Sequence, residues 1–355
     1  MRARTAAAAA LLLAACGRGA DAPAPRTVAL SRADTLVAQE SGDIGMAADL
    51  AVDERGDVYV LDYMLHRVLV VPAEGGPART IGRRGAGPGE LTGPVALAAA
   101  ADSVRVADRG NGRVQVFTRG GAPVRTVPVA ERFMGSGSAF TRDGRLAFPT
   151  LGVRDDALVR VAPIDGGDAA ALGRTVGRSG AALDFTAMKR EIARGRVPAQ
   201  LRNHARAVPA ADGGAWLVLL SEPAVERYGP DLRRRWRREL AAPEVEAVRA
   251  RFFALNREMG SPSVFAPLSH VADAAEGGGR LWLLLDGGDE GPAVLLSVDD
   301  AGGPPVRVEV PGVTGARQVA VDAARGRLYL ALASAELVAV PLPEELSPAA
   351  AARGR

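Results

Sequence analysis

The sequence predicts an all-β fold, a six-bladed β-propeller with two short helical insertions between blades. A unit of apolar strand, tight polar turn and apolar strand recurs six times, and its second strand begins at Val58, Val104, Leu146, Trp216, Leu281 and Leu328. These second strands are nearly continuous apolar runs, which are typical of sheets covered on both faces. The blades of a propeller are covered in this way by their neighbours. The repetition therefore predicts a ring of small sheets.

The first residues predict an export signal followed by a lipid anchor. Arg2 and Arg4 precede an apolar run over residues 6–15 that is too short to span a bilayer. The sequence LAAC, residues 13–16, resembles the lipobox of bacterial lipoproteins. The resemblance implies that the signal is removed and that Cys16 is lipidated, while an ordinary secretory signal is the alternative.

The predicted location follows from this anchor. We expect a cell-envelope protein held to the membrane through Cys16, with the propeller in the periplasm or at the surface. Gly17, rather than an acidic residue, follows the lipid site. By the same resemblance, this favours the outer membrane of a diderm bacterium.

Composition predicts four segments and excludes some classes of site. Residues 1–15 are the signal peptide, 16–26 a flexible linker, 27–345 one propeller domain and 346–355 a C-terminal tail. Cys16 is the only cysteine, so no internal disulfide and no cysteine-based zinc site can form. The 44 basic and 41 acidic residues are dispersed, which does not indicate nucleic-acid binding.

The first two units carry the most specific pattern. Residues 82–117 read GRRGAGPGELTGPVALAAAADSVRVADRGNGRVQVF, which resembles the NHL repeat. The positions that match are Gly87, Pro88, Gly89, Glu90, Leu91, Pro94, Ala107, Asp108, Asn111, Arg113 and Phe117. Membership of that family implies a six-bladed propeller. From the residues themselves we expect a structural role, with Asp108 and Arg113 bridging the loop between the second and third strands.

The last unit predicts how the ring closes. It supplies only three recognisable strands, over residues 318–322, 327–332 and 337–342. An N-terminal segment, either from Thr27 or from Asp34, would supply the missing outer strand. Such closure removes an edge that an open sheet would expose.

Two long spacings between units predict helices. Apolar residues recur at helical spacing over 243–259, with Pro243 at the start, and less regularly over 184–194, where Asp184 is a possible N-cap. Both insertions are predicted on the rim where the inner strands begin. Loops on a rigid scaffold often build binding sites, so this rim is the predicted mouth of the site.

Candidate binding residues are predicted at the same rim. They are Arg202, Asn203, His204, Arg206, His270, Arg317 and Gln318. Such side chains favour a small anion or a polar peptide segment. We therefore expect a binding or interaction scaffold without a cofactor, with a protein, a peptide or a small anionic ligand at the mouth of the channel.

The alternative function is a metal-dependent lyase or hydrolase. His66, His204 and His270 are all predicted on this rim, and three imidazoles can hold zinc or copper. The NHL resemblance also implies this chemistry, since the peptidylglycine lyases use a histidine-bound metal. Calcium chemistry is not indicated, because the segments leading into the inner strands carry no acid in their first three residues.

Overall fold

The computed structural model describes residues 25–100, 102–129, 137–150, 156–177, 184–259 and 264–346. Within these residues, six antiparallel sheets of four strands stand in a ring, and one of them carries an additional strand. This confirms the all-β, six-bladed propeller predicted from the sequence. The predicted signal peptide, Cys16 and residues 347–355 of the predicted tail lie outside the described residues.

The strands follow the chain blade by blade. Two N-terminal strands come first, β1 (Arg26–Ala29) and β2 (Asp34–Val37). Blade one contains β3 (Ala47–Val52), β4 (Val58–Asp62), β5 (Arg67–Val71) and β6 (Arg79–Ile81). A parallel ribbon of β7 (Arg83–Arg84) and β8 (Glu90–Leu91) leads to blade two. Blade two contains β9 (Pro94–Ala99), β10 (Ser103–Asp108), β11 (Arg113–Thr118) and β12 (Pro123–Pro128).

The remaining blades are interrupted by the two helices. Blade three contains β13 (Ala139–Phe140), β14 (Leu146–Pro149), β15 (Val159–Ala162) and β16 (Ala170–Leu172), and α1 (Phe185–Ala193) follows it. Blade four contains β17 (Ala205–Pro209), β18 (Ala215–Leu219), β19 (Ala224–Tyr228) and β20 (Arg234–Glu239), and α2 (Pro243–Glu258) follows it. Blade five contains β21 (Val271–Gly277), β22 (Arg280–Leu285), β23 (Pro292–Asp299) and β24 (Val306–Thr314). Blade six contains β25 (Ala316–Asp322), β26 (Arg327–Leu332) and β27 (Leu337–Pro341).

The N-terminal segment closes the ring, as predicted. β2 pairs antiparallel with β27 and supplies the fourth strand of blade six. The other candidate segment is also used, because β1 pairs in parallel with β24 on the outside of blade five. The inner strands contact one another in order, and β25 of blade six contacts β3 of blade one. The two ends of the chain are thereby joined in one toroidal packing.

The hydrophobic core lies between neighbouring blades. Trp282 on β22 is fully buried and packs in one cluster with Leu330 on β26. Tyr59 of blade one and Phe117 of blade two share another such cluster. Because each blade is covered on both faces, its central strands are apolar on both sides, which explains their continuous hydrophobic runs.

The glycine-rich connector of blade two is held by Arg113. Its Nε donates to Asp108 Oδ2 at 3.0 Å, and its other nitrogens donate to the carbonyls of Ala86, Gly87 and Glu90 at 2.7–2.9 Å. Asp108 is fully buried and also accepts the backbone N–H of Thr92. The residues that carry the NHL resemblance are therefore used inside the fold, in agreement with the structural role predicted for Asp108 and Arg113.

The two faces of the ring differ. We call the side with the loops between the first and second strands the turn face. The opposite side, where the inner strands begin, carries both helices and is called the helix face. Both predicted helices are confirmed, and Asp184 caps α1 by accepting the N–H of Ala187 at 2.9 Å.

The helices pack on each other and on the rim through one cluster that includes Ile192 of α1 and Phe252 of α2. Among the described residues, no helix is long and apolar enough to cross a bilayer.

Candidate functional site

A cavity of about 400 Å³ occupies the central channel. Its lining comes from the inner strands of all six blades, including Asp49, Leu97, Phe140, Arg206, Ala274 and Val319. It continues towards the turn face, where Glu54, Ser103, Arg105, Arg142 and Glu276 also line it. None of the described residues of α1 or α2 lines this cavity. The described lining residues therefore place a mouth of the cavity on the turn face.

Three largely buried charged side chains meet at the inner end of the cavity, where Asp49 and Arg206 line it and Asp273 is buried beside Arg206. Arg206 of blade four forms ion pairs with Asp273 of blade five and with Asp49 of blade one, the latter at 3.5 Å from Nη2 to Oδ1. Asp49 is 7% exposed and Asp273 is 1% exposed. We call these three residues the channel trio.

Each aspartate of the trio also binds the backbone of the next blade. Asp49 Oδ2 accepts the N–H of Leu97 at 2.8 Å, and Asp273 Oδ2 accepts the N–H of Val319 at 2.8 Å. Free N–H groups on an inner edge are costly to bury without a partner. The two carboxylates therefore satisfy these groups and hold neighbouring blades together.

Irregularities in the strand register place these side chains at the same level along the channel axis. The pairing shifts between Ala47 and Asp49 and again between Val271 and Asp273, as in a β-bulge. An extra residue of this kind redirects the side chain that follows it. Asp49, Arg206, Asp273 and Gln318 then each pair with the next-to-last residue of the adjacent second strand.

The charge of the trio is out of balance. Two carboxylates share one guanidinium, so the trio carries one net negative charge when both acids are ionised. Burial raises the pKa of Asp49 from its usual value near 3.8 to about 7, with Arg206 opposing this shift and Asp273 adding to it. Burial also raises the pKa of Asp273, again against the effect of Arg206. Near neutral pH, Asp49 is therefore divided between its protonated and ionised forms.

Three buried polar atoms near the inner ends of blades three, four and six have no hydrogen-bond partner among the described residues. They are Ser138 Oγ, Arg206 Nε and Gln318 Oε1. Buried polar groups are normally hydrogen-bonded. These atoms leave the protein with donors and acceptors available to a polar guest or to water.

The mouth of the cavity carries charges of both signs. Arg142 binds Glu276 at 3.0 Å from Nη2 to Oε2, which links the turns of blades three and five across the opening. Glu276 is nearly buried, while Arg142 is more than half exposed. Arg105 and Glu54 line the same opening from blades two and one.

The residues predicted as a binding cluster are divided between the channel and the helix face. Arg206 lies in the channel, and Gln318 lies at the same height. Arg202 instead binds Glu222, with 2.8 Å from Nε to Oε1, and Arg317 pairs with Asp286 at 3.5 Å and with Asp289.

Asn203 holds the chain before α1. Its Oδ1 accepts the N–H of Val176 at 2.7 Å, and its Nδ2 donates to the carbonyl of the same residue at 3.3 Å. Arg202, Asn203 and Arg317 are thus engaged in contacts within the helix face.

The histidines have separate surroundings. His66 accepts the N–H of Gly93 through Nδ1 at 3.1 Å and so links blades one and two. His204 and His270 precede the inner strands of blades four and five, and burial lowers the pKa of both imidazoles. In the described part of the chain, no group of three or more His, Cys, Asp and Glu side chains is placed to hold a metal ion. The zinc or copper alternative stays a prediction.

Asp49 and Asp273 are the site residues that sequence reasoning missed. Both end the segments that lead into inner strands, GMAAD (45–49) and SHVAD (269–273). The two aspartates occupy the fifth position of their segments, beyond the three positions on which the prediction was based. The repeated Asp at equivalent positions of two blades was the available signal.

The comparisons with known proteins find likeness only among solved structures. No protein-family model matches the chain, and no curated protein matches it either. A protein from Bacteroides fragilis is similar with a TM-score of 0.55 and 11% identity, over 89% of this chain and 95% of the other. A Xanthomonas campestris gluconolactonase is similar with a TM-score of 0.50 and 16% identity, over 91% of this chain and 96% of the other.

A third likeness is to the calcium-binding protein regucalcin from Agrobacterium tumefaciens. Its TM-score is 0.50 and its identity 10%, over 90% of this chain and 97% of the other. The chain is a six-bladed β-propeller. At these identities the likeness shows the fold alone. Any activity depends on the side chains in the channel of this propeller.

The channel trio does not fit a calcium site. Calcium takes six to eight oxygen ligands around one centre. Here the guanidinium of Arg206 pairs with both carboxylates, and each carboxylate has a backbone N–H as a further partner. The positive charge that a calcium ion would supply is provided by a side chain.

Proposed function

We propose that this propeller is a binding protein that holds a small polar ligand in its central channel, entered from the turn face. The cavity of about 400 Å³ in the central channel, with the channel trio at its inner end, carries this proposal. Small-molecule sites are typically concave and mostly apolar, with a few placed polar groups. This cavity has apolar walls from Leu97, Phe140 and Val208, and its polar groups lie at the inner end and at the mouth.

The proposal includes the location predicted from the sequence. The chain would be exported, lipidated at Cys16 and held at the outer membrane of a diderm bacterium, with the propeller in the periplasm or at the surface. The lipobox resemblance of residues 13–16 supports this part. Membership of the NHL-repeat family is also proposed, on the residues of blade two that match it.

Filling the channel tests the binding function. The full chain is purified from its native host in detergent, and small molecules released by heat are identified by mass spectrometry. Ala98 lines the cavity on β9, so Ala98→Phe should remove the released ligand. Ala122→Phe is the matched control, because Ala122 is exposed in the turn between β11 and β12.

The expected result is one compound in near-equal molar amount with the wild type and with Ala122→Phe, and its loss with Ala98→Phe. Thermal unfolding of the three proteins verifies that each is folded. Equal recovery from all three, or recovery from none, would contradict a channel ligand.

Lipidation is tested separately on the full chain. Mass spectrometry of the detergent-extracted protein should find acyl chains on Cys16 and no residue before it. Cys16→Ser should leave a protein that separates into the aqueous fraction, because acyl chains supply about 0.8 kcal/mol of membrane affinity per buried methylene. An unmodified Cys16 in membrane-extracted protein would exclude this anchor.

A further inference from the structure

The excess negative charge of the channel trio points to the class of ligand. Asp49 and Asp273 contribute two negative charges when ionised, and Arg206 contributes one positive charge. Each aspartate is tied to a backbone N–H of the next blade, so neither can turn away into solvent without leaving that group unpaired. An uncompensated buried charge is costly. The excess negative charge has to be neutralised by a proton or by a cation.

The surroundings of the trio favour an organic cation over a bare ion. Around the cavity, the inner strands contribute Leu97, Phe140, Val208 and Val319 together with several alanines. These side chains offer no oxygen ligands to a metal ion, but they suit methylene or methyl groups. An ammonium group is bound by carboxylates as a point charge with several donors.

We propose that the channel ligand is a small organic cation whose ammonium group binds the channel trio at Asp49, which lines the cavity, and whose apolar body fills the channel. This rests on the proposed function, since it assigns a ligand class to the same cavity. The ammonium adds one positive charge to the trio, and the site becomes neutral with both acids ionised. Arg105 and the Arg142–Glu276 pair then lie at the outer end of the ligand.

Binding is coupled to release of a proton from Asp49. Among the described residues, Arg206 of β17 and Asp273 of β21 are the charged groups that face Asp49. On the neighbouring strands, Asp49 pairs with Leu61 of β4 in the strand register and accepts the backbone N–H of Leu97 of β9. The face of β25 that packs on β3 is apolar at Ala320. The proton on Asp49 therefore leaves to solvent as the cation enters, and charge is conserved at the site.

This ligand class differs from the anion expected from the sequence. That expectation rests on Arg202, Arg206 and Arg317 as available positive charges. Each of the three is paired with one or more carboxylates, and Arg206 shares two. The arginines therefore offer no net positive charge for an anion.

The test uses three probes of one size and different charge: n-butylammonium, n-butanol and butyrate. Binding to the full chain in detergent is measured by calorimetry at pH 6 and pH 8, in buffers of different ionisation enthalpy. A primary ammonium stays protonated over this range, as a lysine side chain does. Asp49→Asn is compared with Glu74→Gln, which removes an exposed carboxylate from the turn between β5 and β6.

The expected result is binding of n-butylammonium in preference to the other probes. Its affinity should rise by about tenfold from pH 6 to pH 8, with close to one proton released at pH 6, because Asp49 has to be ionised. Asp49→Asn should weaken binding by about tenfold or more at pH 8, and Glu74→Gln should leave it unchanged. The pH profile and the proton release are read from the wild type and stand even if the Asn variant fails to fold.

Other outcomes overturn the inference in distinguishable ways. If n-butanol or butyrate binds as tightly as n-butylammonium and Ala98→Phe abolishes that binding, the cation assignment fails while the channel function stands. If n-butylammonium binds equally to Asp49→Asn, or binds without proton release at pH 6, the role given to the trio is wrong. If none of the probes binds to the wild type, the cation assignment fails, and the channel function is decided separately by whether a compound is released from the wild type and lost with Ala98→Phe.

Discussion

Asp49 and Asp273 serve two blades each, because one carboxylate oxygen binds the backbone of the next blade while the other faces Arg206. The same side chains thus join the ring and, when both are ionised, leave one negative charge in excess at its centre. A purely structural link would be made as well by an uncharged acceptor such as Asn, which carries no charge to compensate. The excess charge is the feature that calls for a functional explanation.

Asp49 should make stability depend on pH in a particular direction. Its pKa is about 7 in the folded protein and near 3.8 in the unfolded chain, so the folded state holds the proton more tightly. The contribution is present at acidic pH and is lost as pH rises towards 7. In urea titrations, the free energy of unfolding of the wild type relative to Asp49→Asn should fall between pH 4 and pH 7, by up to about 1.4 kcal/mol per pH unit.

The comparison with Asp49→Asn reports on Asp49 together with its coupling to Asp273. Other acids, such as Asp53 and Glu222, have lowered pKa values and contribute to both proteins alike. Glu74→Gln serves again as the control and should follow the wild type at each pH. A constant difference between wild type and Asp49→Asn from pH 4 to pH 8 would show that Asp49 titrates normally.

At the scale of single residues, the sequence identifies the charged positions better than their partners. Arg206 is recognisable as an inner-strand arginine, but its partners lie in blades one and five, 157 and 67 positions away in the chain. Such pairs depend on how the ring closes and on the bulges before Asp49 and Asp273. Neither leaves a periodic signal, so the arginines were interpreted as free charges.

At the scale of elements, hydrophobic periodicity predicts most of the structure. The predicted second strands begin within one residue of the observed ones, as at Val58 and at Trp216, and helix α2 ends one residue before the predicted end. These elements bury apolar faces locally, so their pattern is visible in the chain. The parallel addition of β1 to blade five was not predicted, because it adds an outer strand to a blade that is already complete.

Strand β2 should matter far more than β1 for stability. Removing β2 leaves β27 with an unpaired edge and opens the ring between the first and last elements, whereas removing β1 leaves all six blades complete. A chain without residues 1–40 should melt roughly 10 °C or more below a chain without residues 1–33. Calorimetric scans of both truncations and of the full chain measure this. Equal melting temperatures for the two truncations would contradict ring closure through β2.

The helix insertions should act on stability without acting on the channel. Phe252 of α2 is 2% exposed and packs against Ile192 of α1 and Leu268. Phe252→Ala should lower the free energy of unfolding by about 3–5 kcal/mol, through lost burial and a cavity. Probe binding in the channel should stay unchanged, because no described helix residue lines the cavity. Loss of probe binding in a Phe252→Ala protein that is still folded would instead place the site on the helix face.

At the scale of the whole molecule, the position of the first strand determines how an anchored propeller would stand on a membrane. Arg26 pairs in register with Val306 at the start of β24, directly after the turn that joins β23 and β24. It also binds Glu345, which follows the last strand on the same side. The chain therefore enters the propeller on the turn face. Residues 17–25 reach at most about 30 Å from Cys16, so lipidation at Cys16 would hold the mouth of the channel towards the bilayer.

This orientation can be measured with a single thiol, because Cys16 is the only cysteine and lipidation would block it. Arg55→Cys places a dye on the turn face of blade one, and Met64→Cys places it on the helix face of the same blade, where Met64 is 62% exposed. In vesicles that contain lipids spin-labelled at the headgroup, the dye at residue 55 should be quenched more strongly than the dye at residue 64.

Adding Cys16→Ser to either variant should remove the quenching, because the protein then leaves the vesicles. Stronger quenching at residue 64 would mean that the helix face is turned to the membrane. A ligand would then reach the channel from the aqueous side, and the short linker would serve only to keep the propeller in its compartment. With the turn face towards the bilayer, the same linker also limits the channel to guests small enough to pass between the propeller and the lipid surface.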